Sequence, residues 1–263
     1  MAVFLRPVSA ALICFALAAP AVAQTPPSDP PVSSRSFMPR SAFEFSWARL
    51  FTNDRRFYWD ARIRLDLDIA EVDGWQMRFS ADYDAVIGRE RRVFDLNQGL
   101  YLVEGTIGHD VRGTGVAFLA QHVSRHLVDR ENPPAISWNL AGVRLTRRLV
   151  AGRTTVEGKF DLGHAMQQAF VDYTWISQAE VRGVGPINAR LSWVAEATGD
   201  LVLVNHLVRD HRVCGGRIEG ALRVNGRVAA VDVVLGYERR IDGFPTDRFR
   251  VRAFTLGFRL VSK

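Results

Sequence analysis

Strict alternation of apolar and charged residues is the feature that most constrains how this chain can fold. From Trp59 to Ile69 every odd position is apolar and every even position is charged. The pattern returns from Trp75 to Asp84 and, less regularly, from Val231 to Glu238. Successive side chains of a strand point to opposite faces, so each segment predicts a strand with one apolar and one polar face. Segments of about ten to fifteen residues can cross a bilayer when tilted, which favours a membrane barrel over a soluble sandwich.

The spacing of turns supports a barrel and gives its size. Tight turns are predicted at Asp73-Gly74, Arg112-Gly113, Ala151-Gly152, Gly183 to Gly185 and Asn225-Gly226. Longer connections are predicted near residues 52–57, 88–98, 125–136, 163–167, 201–212 and 241–247. This arrangement is typical of an all-β, antiparallel transmembrane barrel with periplasmic termini, here of about twelve strands. Ten or fourteen strands remain alternatives, because Leu201 to Arg212 could extend one strand or begin another.

The N-terminus predicts export. A basic stretch ends at Arg6, an apolar run follows to Ala19, and Ala21-Val22-Ala23 precedes Gln24, which indicates a signal peptide over residues 1–23. Residues 24–40 are rich in Pro and Ser and predict a disordered periplasmic leader, so the barrel is expected over residues 41–263. The C-terminal strand, with Phe254 and Phe258 on its apolar face, resembles the signal that the barrel assembly machinery recognises. We therefore expect a protein of a Gram-negative outer membrane.

The charges of both signs on the polar face predict an interior filled with ion pairs more than an open pore. The expected inward residues are Arg62, Arg64, Asp66, Asp68, Arg78, Asp82, Asp84, Arg144, Arg148, Glu157, Lys159, Asp161, Arg190, Glu196, Arg217, Glu219 and Asp232. The net charge of +6 follows this alternation and forms no cluster, so nucleic acid is not an expected partner. Five tryptophans, Trp59, Trp75, Trp138, Trp175 and Trp193, are expected at the lipid interfaces.

One group of residues could carry chemistry. His122 and Ser124 lie two residues apart near the end of a predicted strand, so they share a face, and a histidine beside a serine is the minimum for nucleophilic acyl transfer. The next predicted strand begins Ser137-Trp138-Asn139, and the alternation puts Asn139 on its lipid side. Ser124, His122 and Asn139 would then converge across one hairpin. His126 is an alternative base.

These residues resemble the site of outer-membrane phospholipase A, which has a His-x-Ser pair at the outer end of one strand and a Ser-Trp-Asn run at the start of the next. The resemblance implies a twelve-stranded barrel and a lipid-facing serine esterase. His122 would then be the base, Asn139 would orient it, and calcium would activate the enzyme. The oxygen donors in the corresponding loop are Asp129 and Glu131. Lipid A deacylases of the outer membrane share the His-x-Ser pair. The stretch Phe94–Gly99, together with the His-x-Ser-Arg-His region, also resembles a family of uncharacterised bacterial outer-membrane proteins.

The sequence leaves two functions open. One is an acyl hydrolase of phospholipid or lipid A in the outer leaflet. The other is a non-enzymatic outer-membrane barrel, either a pore or a structural protein of the envelope, in which His122, Ser124 and His126 belong to a polar rim. The expected partners are outer-membrane lipids and the assembly machinery, homodimerisation stays open, and no cofactor other than calcium is implied.

Overall fold

The structure, a computed structural model, describes residues 35–128, 133–205, 212–244 and 249–262. Within these ranges the chain forms twelve antiparallel strands, and β1 pairs with β12, so the sheet closes into a barrel. The strands are β1 (Arg35–Phe51), β2 (Trp59–Val72), β3 (Trp75–Gly88), β4 (Asp95–Val111), β5 (Thr114–Leu127), β6 (Ile136–Ala151), β7 (Thr154–Ala169), β8 (Tyr173–Pro186), β9 (Leu191–Val204), β10 (Arg212–Asn225), β11 (Ala229–Phe244) and β12 (Phe249–Ser262). The prediction of twelve strands is confirmed, and Leu201 to Val204 complete β9.

The barrel is apolar outside and charged inside, as the alternation predicts. Ile63, Leu235 and Phe254 are 45%, 63% and 60% exposed on the outer surface, whereas the Asp232 carboxylate is fully buried in the interior. Such a surface would be unfavourable in water and suits lipid. The described residues contain no apolar helix long enough to cross a membrane.

Ion pairs between strands, some adjacent and some not, fill much of the interior. Arg144 donates to Glu104 at 2.5 Å and to Asp161 at 2.7 Å, and Arg223 donates to Asp232 at 2.7 Å. A cavity of about 560 Å³ remains among these charges. One inward assignment was wrong, because Arg190 is exposed in the connection between β8 and β9.

One end of the barrel carries most of the longer connections, and we call it the long-connection rim. Its connections span residues 52–58, 89–94, 128–135, 170–172, 205–211 and 245–248, whereas those of the short-turn rim span 73–74, 112–113, 152–153, 187–190 and 226–228. Gly74, Gly113 and Gly152 have φ values of 83°, 78° and 61°, which the tight turns require.

Several predicted boundaries were wrong. Gly183 to Gly185 belong to β8 and not to a turn, and residues 163–167 lie within β7 and not in a loop. β1 begins at Arg35, inside the predicted leader, because residues 35–37 already pair with the end of β2. Residues 1–34, which make up most of the predicted signal peptide and leader, lie outside the described residues.

Inward-facing apolar side chains pack together at the long-connection rim. Leu50, Phe57, Val123, Trp138 and Tyr173 belong to one buried cluster there. The prediction that Trp138 lies at the lipid interface was wrong, because the alternation that turns Asn139 outward turns Trp138 inward, where its ring meets Tyr173 edge-on at 5.3 Å.

The end of β11 ties this cluster together across the barrel. The Tyr173 hydroxyl donates to the Asp242 carboxylate at 2.8 Å, and Arg125 donates to the Asp242 carbonyl at 2.6 Å. The Gln98 amide donates to the Gly243 carbonyl at 2.8 Å. Three strands, β4, β5 and β8, therefore hold one end of β11 over the mouth of the barrel.

Candidate functional site

The predicted catalytic residues lie together on the outer face of β5 and β6, near the long-connection rim. On β5, His122 and His126 are exposed and Ser124 is half-buried. Val123 and Leu127, which alternate with them, point inward. The antiparallel register puts Asn139 directly opposite His122, and it puts Ser137 opposite Ser124. The structure thus places the whole group on the apolar outside of the barrel and not in the lumen.

A hydrogen bond across the strands fixes the His122 ring. Its Nδ1 lies 2.6 Å from Asn139 Oδ1. The Asn139 amide nitrogen in turn donates to Gln167 Oε1 at 3.1 Å, which is consistent with an amide oxygen facing the histidine. An amide oxygen only accepts, so Nδ1 carries the proton and Nε2 of the neutral ring keeps a lone pair. His122 is therefore held as the tautomer that a general base requires.

The Ser124 hydroxyl is hydrogen-bonded to the other histidine. Its Oγ lies 3.2 Å from His126 Nε2. The His126 ring packs edge-on against Tyr101 at 5.3 Å, and Tyr101 packs against Tyr83 at 4.6 Å. Among the described residues, Ser124 forms no hydrogen bond with His122. Thus His122 is hydrogen-bonded to the Asn139 amide, whereas His126 is hydrogen-bonded to the Ser124 hydroxyl.

Sequence reasoning missed three neighbours of this group: Gln167, Tyr101 and Tyr83. Gln167 reaches the outer face because the register of β6 and β7 shifts between Asn139 and Leu140, and no regular alternation reveals such a shift. The position of Tyr101 directly opposite Ser124 follows only from the pairing of β4 with β5.

The predicted calcium ligands, Asp129 and Glu131, lie outside the described residues. Within the ranges that the structure describes, no group of three or more His, Cys, Asp or Glu side chains is placed to hold a metal ion. Two other histidines pack on rim tryptophans, His109 on Trp75 and His164 on Trp175.

Solved structures of similar shape are outer-membrane barrels. Outer-membrane phospholipase A from Escherichia coli aligns with a TM-score of 0.52 at 10% identity, over 85% of this chain and 97% of that one. The fold is similar to that of outer-membrane phospholipase A. The Salmonella typhi outer-membrane phospholipase, described as a dimer with bound calcium, gives the same TM-score and identity over 85% of this chain and 90% of that one.

An active-site mutant of the Escherichia coli phospholipase, with an asparagine replaced by alanine, aligns with a TM-score of 0.51 at 11% identity, over 89% of this chain and 94% of that one. No protein-family profile and no curated protein sequence matches the chain. At these identities the phospholipase likeness concerns the fold alone.

Proposed function

We propose that this chain is a serine acyl hydrolase of the bacterial outer membrane, with the long-connection rim outside and the acyl esters of outer-leaflet phospholipid or lipid A as substrates. The observation that carries the proposal is the hydrogen bond of 2.6 Å between His122 Nδ1 and Asn139 Oδ1, next to Ser124 on the same outward face. If these residues formed only a polar rim, His122 would not need to be held in one tautomer. Here the Asn139 amide holds that tautomer, and the same amide is hydrogen-bonded to Gln167.

The reaction would proceed by acyl transfer through Ser124. The hydroxyl oxygen attacks the ester carbonyl carbon while its proton passes to His122 Nε2. When the tetrahedral intermediate collapses, the ester C–O bond breaks and the imidazolium returns the proton to the leaving alkoxide. Water, deprotonated by the same nitrogen, then hydrolyses the acyl-enzyme and releases the fatty acid. Asn139 keeps the proton on Nδ1 throughout and stabilises the imidazolium.

His122 is the better base because it has an orienting partner, whereas no side-chain oxygen among the described residues accepts a hydrogen bond from His126 Nδ1. The serine lies between the two rings on one face. Rotation about its χ1 moves the hydroxyl between staggered positions, so it can leave His126 for His122. In this proposal His126 holds the resting hydroxyl and His122 takes its proton.

The location of the site determines how the substrate enters. Exposed apolar side chains such as Val116 and Phe118 continue along the same face of β5 toward the middle of the barrel wall. Acyl chains can lie against them while the ester reaches Ser124 from the membrane. The lumen takes no part in this route.

The phospholipase comparisons support the proposal through their fold, and the mutated active-site asparagine of one of them has the residue type and the role that we assign to Asn139 in this chain. Because the Salmonella typhi protein is a dimer with bound calcium, calcium dependence and homodimerisation are proposals for this chain also. None of the steps above is routed through a metal.

The test is release of fatty acid from micelles of phospholipid and of lipopolysaccharide by the refolded protein, in calcium and in EDTA. Ser124→Ala should abolish release. Ser137→Ala is a matched control, because Ser137 lies opposite Ser124 on the same face of the barrel. Heat-modifiable gel mobility should show that both variants fold.

Three outcomes are informative. Release that Ser124→Ala abolishes and Ser137→Ala preserves supports the hydrolase and identifies its lipid. Equal release by wild type and Ser124→Ala, or none by either in both calcium and EDTA, contradicts it and favours a non-enzymatic barrel. Equal release in calcium and EDTA would remove calcium from the proposal without affecting Ser124.

A further inference from the structure

Arg49 lies on the outer face at the end of β1, on the opposite side of the barrel wall from the ion pairs of the interior. It alternates with the inward-facing Leu50, which is fully buried, and shares its face with Phe51, which is 51% exposed. Its guanidinium donates to the carbonyls of Leu50 and Tyr58 at 2.8 and 2.6 Å. Its guanidinium carbon lies 3.1 Å from the centre of the Tyr58 ring and 5.6 Å from that of Trp59.

A second arginine uses the same ring. The guanidinium carbon of Arg89 lies 4.6 Å from the centre of the Tyr58 ring. Backbone hydrogen bonds hold the two connections together, with the Arg89 amide donating to the Arg55 carbonyl at 2.8 Å and the Tyr58 amide donating to the Ile87 carbonyl at 2.9 Å. A side chain at Gly88 would come within 2.8 Å of the Arg55 carbonyl oxygen, so this approach depends on a glycine.

Neither arginine forms an ion pair with a carboxylate anywhere in the part of the chain that the structure describes. Asp54, an acidic residue of the same connection, is already paired with Arg56 at 2.7 Å. By contrast, interior arginines such as Arg144 and Arg223 each contact at least one carboxylate. Two guanidinium groups that share one aromatic ring repel each other, and a bound anion would relieve that repulsion.

We propose that Arg49 and Arg89 bind the phosphomonoester group of a lipid in the leaflet at this rim. A phosphomonoester carries nearly two negative charges at neutral pH and three acceptor oxygens, which match two guanidinium groups that each donate two hydrogen bonds. The exposed ring of Phe51 and the paired rings of Trp47 and Trp59 lie on the same face and would contact the acyl chains. This inference rests on the membrane placement in the proposed function, but not on catalysis by Ser124.

The binding test uses the full mature chain carrying Ser124→Ala, so that no lipid is consumed. Native mass spectrometry from detergent micelles would count bound phosphatidic acid, a phosphomonoester, against phosphatidylcholine, a phosphodiester. We expect the double variant Arg49→Gln/Arg89→Gln to bind phosphatidic acid about tenfold more weakly or worse, since each charge-assisted contact is lost. Arg153→Gln, in an exposed turn at the short-turn rim, should bind as before.

A second arm of the test compares the binding of lipid A with that of its dephosphorylated form. A third arm measures whether inorganic phosphate competes with phosphatidic acid for the site. Preference for the phosphorylated lipid that disappears in the double variant supports the site. Equal binding by the double variant and Arg153→Gln overturns it. Inorganic phosphate that competes at the same concentration as phosphatidic acid overturns the lipid as ligand. If the Ser124→Ala chain binds phosphatidic acid in this way while the chain with Ser124 intact hydrolyses no ester, only the proposed function is contradicted.

Discussion

Ser124 has a histidine two positions before it and another two positions after it on the same face, and these two rings are held differently. His122 is hydrogen-bonded to an amide, and His126 is packed on the edge of Tyr101. A hydrogen bond that the ring donates to a group that only accepts fixes a tautomer, whereas an aromatic contact fixes only the position of a ring. The two histidines should therefore have separable effects on hydrolysis.

We expect His122→Gln to lower kcat by about 10²-fold to 10⁴-fold, the range in which a general base contributes. His126→Gln should change kcat by only a few-fold, because the amide of the introduced glutamine can still hydrogen-bond the resting Ser124 hydroxyl. Initial rates of ester hydrolysis over a range of substrate concentrations measure both. A larger loss from His126→Gln than from His122→Gln would make His126 the base.

Asn139 acts through His122, so its variants should alter the pH dependence of the reaction. Asn139→Ala removes the acceptor, and we expect kcat to fall by about tenfold or more. Asn139→Asp keeps an acceptor and adds a negative charge, which stabilises the imidazolium form of the His122 ring. The acidic limb of the pH–rate profile should therefore move to higher pH in this variant. An unchanged limb in an active Asn139→Asp variant would show that the residue is only structural.

At this scale, alternation was enough to predict that His122, Ser124 and Asn139 share a face, because the period of a strand is two residues. It could not predict which histidine the hydroxyl contacts, because a serine rotamer depends on local geometry. It also could not place Gln167, because the register shift beside Asn139 breaks the period. Roles for all of these residues remain predictions.

Among the elements, the seam between β1 and β12 is where the barrel closes. Gly257 lies opposite Ala48 across this seam, and a Cβ at Gly257 would come within 2.6 Å of the Ala48 Cα. The two strands can approach as they do only because this position has no side chain. The seam should therefore be sensitive to an added methyl group at Gly257.

Gly257→Ala should destabilise the barrel by about 1 to 3 kcal/mol, the usual cost of forcing an atom into a packed contact. The temperature at which heat-modifiable mobility is lost measures the effect. Gly220→Ala is the control, since a Cβ there would meet nothing within 4 Å. The same loss from both variants would mean that strand flexibility, and not the seam, is responsible.

Strand number and the faces of the strands could be predicted, but strand ends could not. Gly183 and Gly185 looked like a turn because glycine is common there, yet both accommodate the Trp193 ring inside a regular strand pair. The sequence from residue 163 to 167 looked like a connection, but pairing with β6 continues through it and pairing with β8 extends to His164. Hydrogen bonding to neighbours extends strands beyond what a single segment shows.

At the scale of the whole molecule we expect no open channel, because among the described residues ion pairs cross the interior and the cluster around Trp138 and Tyr173 packs inside the long-connection rim. We expect the refolded protein to give no sustained current steps in planar bilayers. Trp138→Ala/Tyr173→Ala should raise conductance by opening the mouth. Trp175→Ala is the control, because that ring is 44% exposed outside the barrel. Porin-like steps from the wild type would contradict this account.

The alternation that builds the wall also affects how such a chain can be made. Because many of the inward-facing strand residues are charged or polar, the mean hydropathy is only −0.02, although 48% of the residues are hydrophobic. Machinery that inserts proteins into the inner membrane selects sustained apolar segments of roughly 20 residues, and strands of this composition do not offer them. A polypeptide that will later lie in lipid can therefore pass through the first membrane on its route without being retained there.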